Sequence, residues 1–319
     1  MANGYYGDFN MHPAFSVLVF TVMSGAGYGL MTLLAVGHLG GLPQLQNPSV
    51  LLAAGILALA LITLGLLSST LHLANPKNAW RAFSRFKTSW LSREAVFAVL
   101  FYPCVLTYLI SVWSTGAELT TVTLLSGILA AVLAMVTLFC TSMIYASLKT
   151  IRQWNSSLTP VSYIAFGLMS GSLLLLAVQA LISGNISAVL QQLALVLLVL
   201  AAVVKVVYLF WIGKPAGSTI NTATGFTQAS VRLFDQGHTA NGFSNNEFGY
   251  TVEANKLVQL RRLMLVLTFI VPFLLVLTAG TAMVAIAALL AVAGLLVERW
   301  LFFAEARHVV RLYHGDQSV

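Results

Sequence analysis

The chain has 319 residues with a net charge of +7; 59% of the residues are hydrophobic and only 8% are charged. So few polar residues cannot cover the surface of a soluble fold of this length, so the composition excludes that class and indicates an integral membrane protein. Because unpaired backbone groups are costly in hydrocarbon, apolar runs of about 20 residues must cross it as helices. We therefore expect an all-α bundle within the bilayer.

Apolar runs predict eight transmembrane helices that form one domain. They occupy about 13–38, 49–73, 92–113, 121–146, 160–182, 186–212, 263–280 and 282–305. The last two lie in one apolar stretch that is too long for a single span and is interrupted at Ala279-Gly280-Thr281. Seven spans are the main alternative. Eight spans place both termini on the same side, which we call side A; the opposite side is side B.

The 16 basic residues lie at side A or in the helix halves nearest to it. They are Lys77, Arg81, Arg85, Lys87, Arg93, Lys149, Arg152, Lys205, Lys214, Arg232, Lys256, Arg261, Arg262, Arg299, Arg307 and Arg311. The loops on side B contain neither Lys nor Arg. Under the positive-inside rule, side A is cytoplasmic, as are both termini and the long loop 213–261. We therefore expect the positive charge to reflect topology and not nucleic-acid binding.

The start of the chain and its two cysteines argue against three features: a removable signal peptide, an iron–sulfur cluster and a disulfide framework. The first twelve residues contain Asp8 and no Lys or Arg, so the positive region of a removable signal peptide is missing. Cys104 and Cys140 lie inside predicted spans without a Cys-x-x-Cys spacing. We therefore expect neither an iron–sulfur cluster nor a disulfide framework, and interpret both cysteines as small core residues.

The long loop on side A is rich in Gly, Ser, Thr and Asn and also contains several aromatic residues. Its aromatic residues include Phe226, Phe234, Phe243, Phe248 and Tyr250. Loops of this length usually bind something or act as lids, so we expect a cytoplasmic partner to dock here. A disordered loop is the alternative interpretation.

Residues 77–91, KNAWRAFSRFKTSWL, have aromatic residues at three- and four-residue steps and basic residues four apart. A helix with this pattern would have an aromatic face and a basic face, which is typical of a helix lying along the lipid headgroups. One interpretation is that this helix is only a membrane anchor. The other is that it also binds an acidic surface of a partner protein. The docking interpretation involves Lys77, Trp80, Arg85, Lys87 and Trp90.

Several segments resemble the membrane-anchor subunits of the dimethyl sulfoxide reductase type. The segment from Ser68 to Val96 is similar to that family's Ser-x-Leu-His-Leu-Gly-x-Pro motif followed by Ser-x-Glu, with Ala74 in place of Gly. Further similarity lies in MHPAFSVLVFTVMSGAGYGL, in Thr159-Pro160 and in VERWLFFAEARH. The segments GHTANGF, NEFGY and LRRLMLVL look closest to the branch that serves cytoplasmic, quinone-dependent sulfite dehydrogenases.

This resemblance implies a three-part oxidoreductase complex. A molybdopterin subunit and a four-cluster iron–sulfur subunit would hold the metal cofactors, and this chain would anchor them and exchange electrons with ubiquinone or menaquinone in the bilayer. Cytoplasmic basic loops favour sulfite oxidation that feeds quinone. The alternative within the family is a dimethyl sulfoxide reductase-type anchor that oxidises quinol.

Two residues of the motif are implied in quinone chemistry, which requires a proton donor and a hydrogen bond in an apolar pocket. His72, at the side-A end of the second span, matches the family's quinone-associated histidine. Glu94, at the start of the third span, matches a position linked to the quinone site, and we expect it to relay protons. The alternative for His72 is an interfacial histidine that hydrogen-bonds to the backbone, and the alternative for Glu94 is a simple charge at the start of a helix.

Two weaker candidates are His12 and Arg81. His12 precedes the first span and would line the quinone pocket, or would simply be a terminal histidine. Arg81 would bind an acceptor near the quinone or pair with the partner subunit. The sequence does not decide between these interpretations.

Three charged residues lie well inside predicted spans, away from the span ends: Lys205, Glu298 and Arg299. Adjacent helical residues point to different sides, so we expect Glu298 and Arg299 to have different partners. Lys205 is a candidate partner for Glu298. Because charges within membranes usually pair, bracing of the bundle is the favoured interpretation.

Two rival classes have weaker support. A haem-bearing cytochrome needs two facing histidines within the spans, whereas His38 and His72 lie at opposite ends, so no haem is expected. A transporter would normally show an internal repeat and a path of ionisable residues across the membrane, whereas no clear repeat is present and few ionisable residues reach mid-membrane.

Overall fold

The computed structural model describes residues 15–70, 76–213, 217–234, 253–314 and 316–319. Over these residues it contains eight helices long and apolar enough to cross a membrane, which confirms the predicted number. In chain order, the helices are α1 (Phe15–Leu39), α2 (Pro48–Thr70), α3 (Trp90–Thr115), α4 (Thr121–Ala146), α5 (Leu158–Ser183), α6 (Ala188–Ile212), short α7 (Ile220–Thr224), α8 (Ala254–Leu265, a π-helical turn Val266–Ile270, then Val271–Leu277) and α9 (Thr281–Ala304). The described residues contain no strand, only two isolated bridges.

Helices α1 and α5 form the centre of the bundle. Helix α1 packs against α2, α4, α5 and α9, whereas α5 packs against α1, α4, α6 and α9. Close packing of these two helices depends on glycine: a Cβ atom on Gly29 of α1 would lie 1.8 Å from the carbonyl oxygen of Gly167 in α5. Small residues of this kind allow helix backbones to approach closely where lipid offers little hydrophobic driving force.

The side-B ends of the helices are held by short, well-capped connections. Helix α3 ends at Gly116, whose φ of 68° is in the left-handed region that favours glycine. The imidazole of His38, at the end of α1, is completely buried. Its Nδ1 lies 2.8 Å from the Tyr108 hydroxyl and its Nε2 lies 3.0 Å from the carbonyl oxygen of Ala117. His38 therefore links α1 to α3 and to the following turn.

The aromatic and basic segment after α2 differs from the prediction. Residues Pro76–Arg85 form a 3₁₀ helix, and α3 already begins at Trp90. The reason is the cap at Ser89, whose side chain accepts a hydrogen bond from the backbone N–H of Ser92 and so starts a new helix there. The prediction that one interfacial helix carries both Trp80 and Trp90 is therefore wrong.

On side A, the loop between α4 and α5 contacts the C-terminal segment. The backbone N–H of Val309 donates to the carbonyl oxygen of Thr150, and the indole N–H of Trp154 donates to that of Phe302. Farther along, Val319 pairs with Ser218, just before α7. These contacts join three sequence-distant side-A segments into one surface.

Candidate functional site

Glu94 lies in the second turn of α3, and its side chain is buried, with only 4% of the residue exposed. The hydroxyl of Thr141, on α4, donates a hydrogen bond to Oε1 of this carboxyl. Thr141 is itself buried, and its oxygen also lies 3.0 Å from the carbonyl oxygen of Thr137 one turn away. A carboxyl enclosed between two membrane helices with a hydroxyl partner can bind and release a proton away from bulk water.

The surroundings of Glu94 are otherwise apolar or neutral. Within the described residues it forms no ion pair, and the titratable groups within its electrostatic reach include Tyr28, Cys140, Tyr145 and Tyr163. A carboxylate that enters a membrane bundle without a cation to balance it is costly unless it has a function. The local geometry therefore marks Glu94 as the leading candidate functional group of the described chain.

Two predicted site residues, His72 and His12, lie outside the described residues. The segment that contains His72 connects Thr70, at the end of α2, to Pro76, at the start of the 3₁₀ helix. That 3₁₀ helix packs against α3, the helix that carries Glu94.

The predicted docking residues of the 3₁₀ helix and the following turn face outward. Trp80 is 64% exposed, and Arg81, Arg85 and Lys87 are exposed as well. The Arg81 guanidinium lies 5.7 Å from the ring centroid of Trp80. Lys77 belongs to the same 3₁₀ helix, but its side chain is outside the described part of the structure.

Trp90 occupies a different position from these exposed residues. It lies in the first turn of α3, where its ring packs edge-on against Phe139 of α4 with a centroid distance of 5.9 Å. The Arg93 guanidinium covers the ring at 4.2 Å and also donates to the carbonyl oxygens of Phe86 and Lys87. Arg93, which the sequence did not single out, thereby fixes the turn between the 3₁₀ helix and α3.

The three intramembrane charges form one buried cluster. Lys205 Nζ lies 2.5 Å from Glu298 Oε1, and Arg299 Nε lies 2.8 Å from Glu298 Oε2. The expectation that Glu298 and Arg299 have different partners is wrong, because the long Arg299 side chain turns back to the same carboxylate. Its guanidinium also covers the ring of Tyr163, on α5, at 4.0 Å. One carboxylate thus lies between two cations and connects α6 to α9.

An apolar cleft of about 460 Å³ lies between α6 and α8. All its lining residues are apolar: Leu198, Val199, Ala202, Val203, Val206, Val207, Phe269, Ile270, Phe273 and Leu274. No side chain of this lining can donate a hydrogen bond to a carbonyl, so the cleft lacks the polar group that a quinone headgroup requires. Across the described ranges, no group of three His, Cys, Asp or Glu side chains could hold a metal ion.

Comparison with known proteins agrees with the family resemblance of the motif. A family model described as "DMSO reductase anchor subunit (DmsC)" matches residues 10–304. The chain is also 34% identical over 326 residues to a sulfite dehydrogenase subunit of Allochromatium vinosum, an alignment that covers 97% of this chain and all of that protein. Because the match extends over nearly the whole chain, this protein belongs to the DMSO reductase anchor subunit family.

Proposed function

We propose that this chain anchors a molybdenum and iron–sulfur oxidoreductase in the bacterial cytoplasmic membrane and passes electrons between its iron–sulfur subunit and the quinone pool. The direction we favour is sulfite oxidation coupled to quinone reduction. Family membership supports the anchor role, and the relative from Allochromatium vinosum supports the sulfite assignment. The observation that carries the quinone role is the buried Glu94 carboxyl, which follows the His72 motif and is bonded by Thr141.

Glu94 and His72 have complementary tasks in this proposal. Quinone reduction takes up two electrons and two protons, and these protons must reach an apolar site. Glu94 holds a proton inside the bundle, and His72 provides the hydrogen bond and proton exchange at the membrane surface. His12 would line the same pocket, whereas Arg81 is exposed and is better placed to contact the partner subunit.

The partner subunits would dock on side A. The 3₁₀ helix and the turn after it present aromatic and basic side chains, which suit an acidic protein surface with an apolar centre. The iron–sulfur subunit would contact this surface directly and hold the molybdopterin subunit behind it. Loop 213–261 would cover part of the same side.

The distribution of Lys and Arg supports a cytoplasmic location for side A. The side-B connections after α1, α3, α5 and α8 contain no basic residue, whereas those on side A contain most of them. Short basic loops stay on the cytoplasmic side during insertion. Both termini and the docked catalytic subunits would then be cytoplasmic, where sulfite oxidation can feed quinone.

Purification of the complete complex followed by a quinone assay tests this function. We expect sulfite to reduce a short-chain quinone in the complex, whereas the catalytic subunits prepared without this chain reduce only a soluble dye. Equal quinone reduction without this chain would contradict the proposal. Quinol-dependent reduction of dimethyl sulfoxide, without any sulfite-dependent activity, would instead favour the dimethyl sulfoxide reductase-type alternative.

A further inference from the structure

Thr141 has one hydroxyl hydrogen and two neighbouring acceptors. One is Oε1 of Glu94, and the other is the carbonyl oxygen of Thr137, at 3.0 Å in its own helix. A hydroxyl can donate only one hydrogen bond at a time but can accept as well. The two acceptors therefore compete for the same hydrogen.

This competition has a different outcome for each form of Glu94. When the carboxyl is ionised, the Thr141 hydroxyl turns to it, because hydrogen bonds to charged groups are the stronger ones. When the carboxyl is protonated, its own O–H donates to the Thr141 oxygen, and the Thr141 hydrogen returns to the Thr137 carbonyl. In both forms every hydrogen has an acceptor, so no buried polar atom loses its partner.

We propose that Thr141 is a positioning residue that holds Glu94 in both its protonated and its ionised form. The inference rests on the proposed proton role of Glu94 and adds the group that makes this role reversible. Tyr28 from α1, Cys140 and Tyr145 from α4, and Tyr163 from α5 lie within electrostatic reach of Glu94. Two cations also act on these groups, Arg93 on Cys140 and Arg299 on Tyr145 and Tyr163.

The test replaces Thr141 in the complete complex by Val, which keeps the shape and removes the hydroxyl, and by Ser, which keeps the hydroxyl. Infrared difference spectra give the direct readout, because the C=O stretch of protonated Glu94 disappears in Glu94→Gln and can be assigned. We expect Thr141→Val to move this band to higher frequency and to slow quinone reduction by about tenfold or more, the effect of one hydrogen bond to a charged group. Thr141→Ser should keep the wild-type band frequency and the wild-type rate of quinone reduction.

Thr137→Val is the matched control. Thr137 lies one turn away on the same helix, is equally buried, and donates its hydroxyl hydrogen to the carbonyl oxygen of Leu133, with the Tyr28 hydroxyl also nearby. This variant should leave the Glu94 band in place. An unmoved band in Thr141→Val, or in Thr141→Ala if the Val variant does not assemble, would overturn the inference. A moved band together with wild-type turnover in Glu94→Gln would leave the positioning role intact and refute the proton role of Glu94.

A separate observation concerns a small cavity between α1, α4, α5 and α9. Its volume of about 20 Å³ suits one water molecule. Two of its lining residues, Tyr163 and Arg299, are buried, and within the described chain Tyr163 Oη and Arg299 Nη1 have no hydrogen-bond partner. The Arg299 guanidinium covers the face of the Tyr163 ring at 4.0 Å.

The hydrogen bonds of the hydroxyl residues that line this cavity favour a water molecule over an anion as its occupant. Thr21 and Ser170 donate their hydrogens to backbone carbonyls of their own helices, so they offer only lone pairs to the cavity. An anion would be repelled by these lone pairs. Water can accept a hydrogen bond from Arg299 and donate to Thr21 or Ser170.

We infer that this cavity binds one ordered water molecule that completes the hydrogen bonds of Arg299 and Tyr163. Gly25→Ala in the complete complex tests it, because Gly25 lines this cavity and an added methyl would meet only a Leu138 side-chain carbon, at 3.7 Å. If water occupies the cavity, the methyl displaces it and the melting temperature falls by a few degrees. If the cavity is dry, the melting temperature of Gly25→Ala should rise, because filling an empty cavity and replacing a glycine within a helix both stabilise the protein.

A density map of the wild-type complex that resolves water is the second measurement, and it does not depend on folding of the variant. We expect a peak within hydrogen-bond distance of Arg299 Nη1 and Tyr163 Oη. A cavity without density, or a rise in the melting temperature of Gly25→Ala, would overturn this inference.

Discussion

Lys205 Nζ lies 2.5 Å from Glu298 Oε1, and this ion pair joins α6 to α9 with both side chains almost completely buried. Arg299 binds the other carboxylate oxygen at 2.8 Å. Buried charges contribute little net stability when paired, but one left without its partner is strongly unfavourable. Glu298 is therefore the member on which the cluster depends.

We expect Glu298→Gln to destabilise the protein by about 3–5 kcal/mol, because it leaves two buried cations without an anion. Glu305→Gln is the matched control, since its partner Arg261 is 40% exposed and such pairs contribute about 1 kcal/mol or less. Thermal unfolding of both variants in detergent provides the comparison. Equal melting temperatures for the two variants would contradict the assigned importance of the cluster.

Gly29→Ala should prevent normal packing of α1 against α5. The new methyl would lie 1.8 Å from the Gly167 carbonyl oxygen, so the two backbones must separate. Gly25→Ala, one turn earlier, meets only a flexible side chain and should still assemble. The yield of assembled complex from membranes measures this difference. Wild-type yield of Gly29→Ala would show that the two helices do not pack as described.

Much of the fold was predictable because hydropathy is a strong signal for membrane helices. The number of spans follows from it, and the Lys205–Glu298 pair follows from the cost of unpaired charges in hydrocarbon. The extent of the interfacial helix before α3 was not predicted correctly, since the aromatic periodicity of 77–91 continues through the Ser89 cap. A capping serine breaks a helix without changing the pattern of apolar residues.

The candidate site was predictable only in part. The motif points to Glu94, but Thr141 is one of several hydroxyl residues in an apolar run and nothing nearby distinguishes it from Thr137. Its importance comes from the packing of α4 against α3, which brings together two partners that are 47 positions apart in the sequence. Contacts of this kind depend on tertiary structure and leave no local pattern.

A reporter fused after Val319 and another inserted near Asn241 should both be cytoplasmic, because the basic loops lie on that side. Fusions to alkaline phosphatase and to a fluorescent protein that matures only in the cytoplasm measure this directly. Phosphatase activity at either position would reverse the topology and remove the argument for cytoplasmic catalysis.

His72→Ala should assemble normally and lose quinone-linked turnover, because it removes the hydrogen-bonding and titrating group at the membrane surface. Electron transfer from the catalytic subunits to a soluble dye should persist in the same preparation and serves as the internal control. Binding of a quinone-site inhibitor should weaken in parallel. Normal quinone turnover in this variant would exclude the role assigned to His72.

The central claim is that Glu94 delivers protons during quinone reduction, and the rate of sulfite-dependent quinone reduction in Glu94→Gln tests it most directly. Gln keeps the shape and the hydrogen bond from Thr141 but cannot carry the proton. We expect turnover to fall by about 10² or more, the lower range of general acid–base contributions. Glu118→Gln, which changes an exposed carboxylate on side B, should keep the wild-type rate. A wild-type rate in Glu94→Gln would contradict the account.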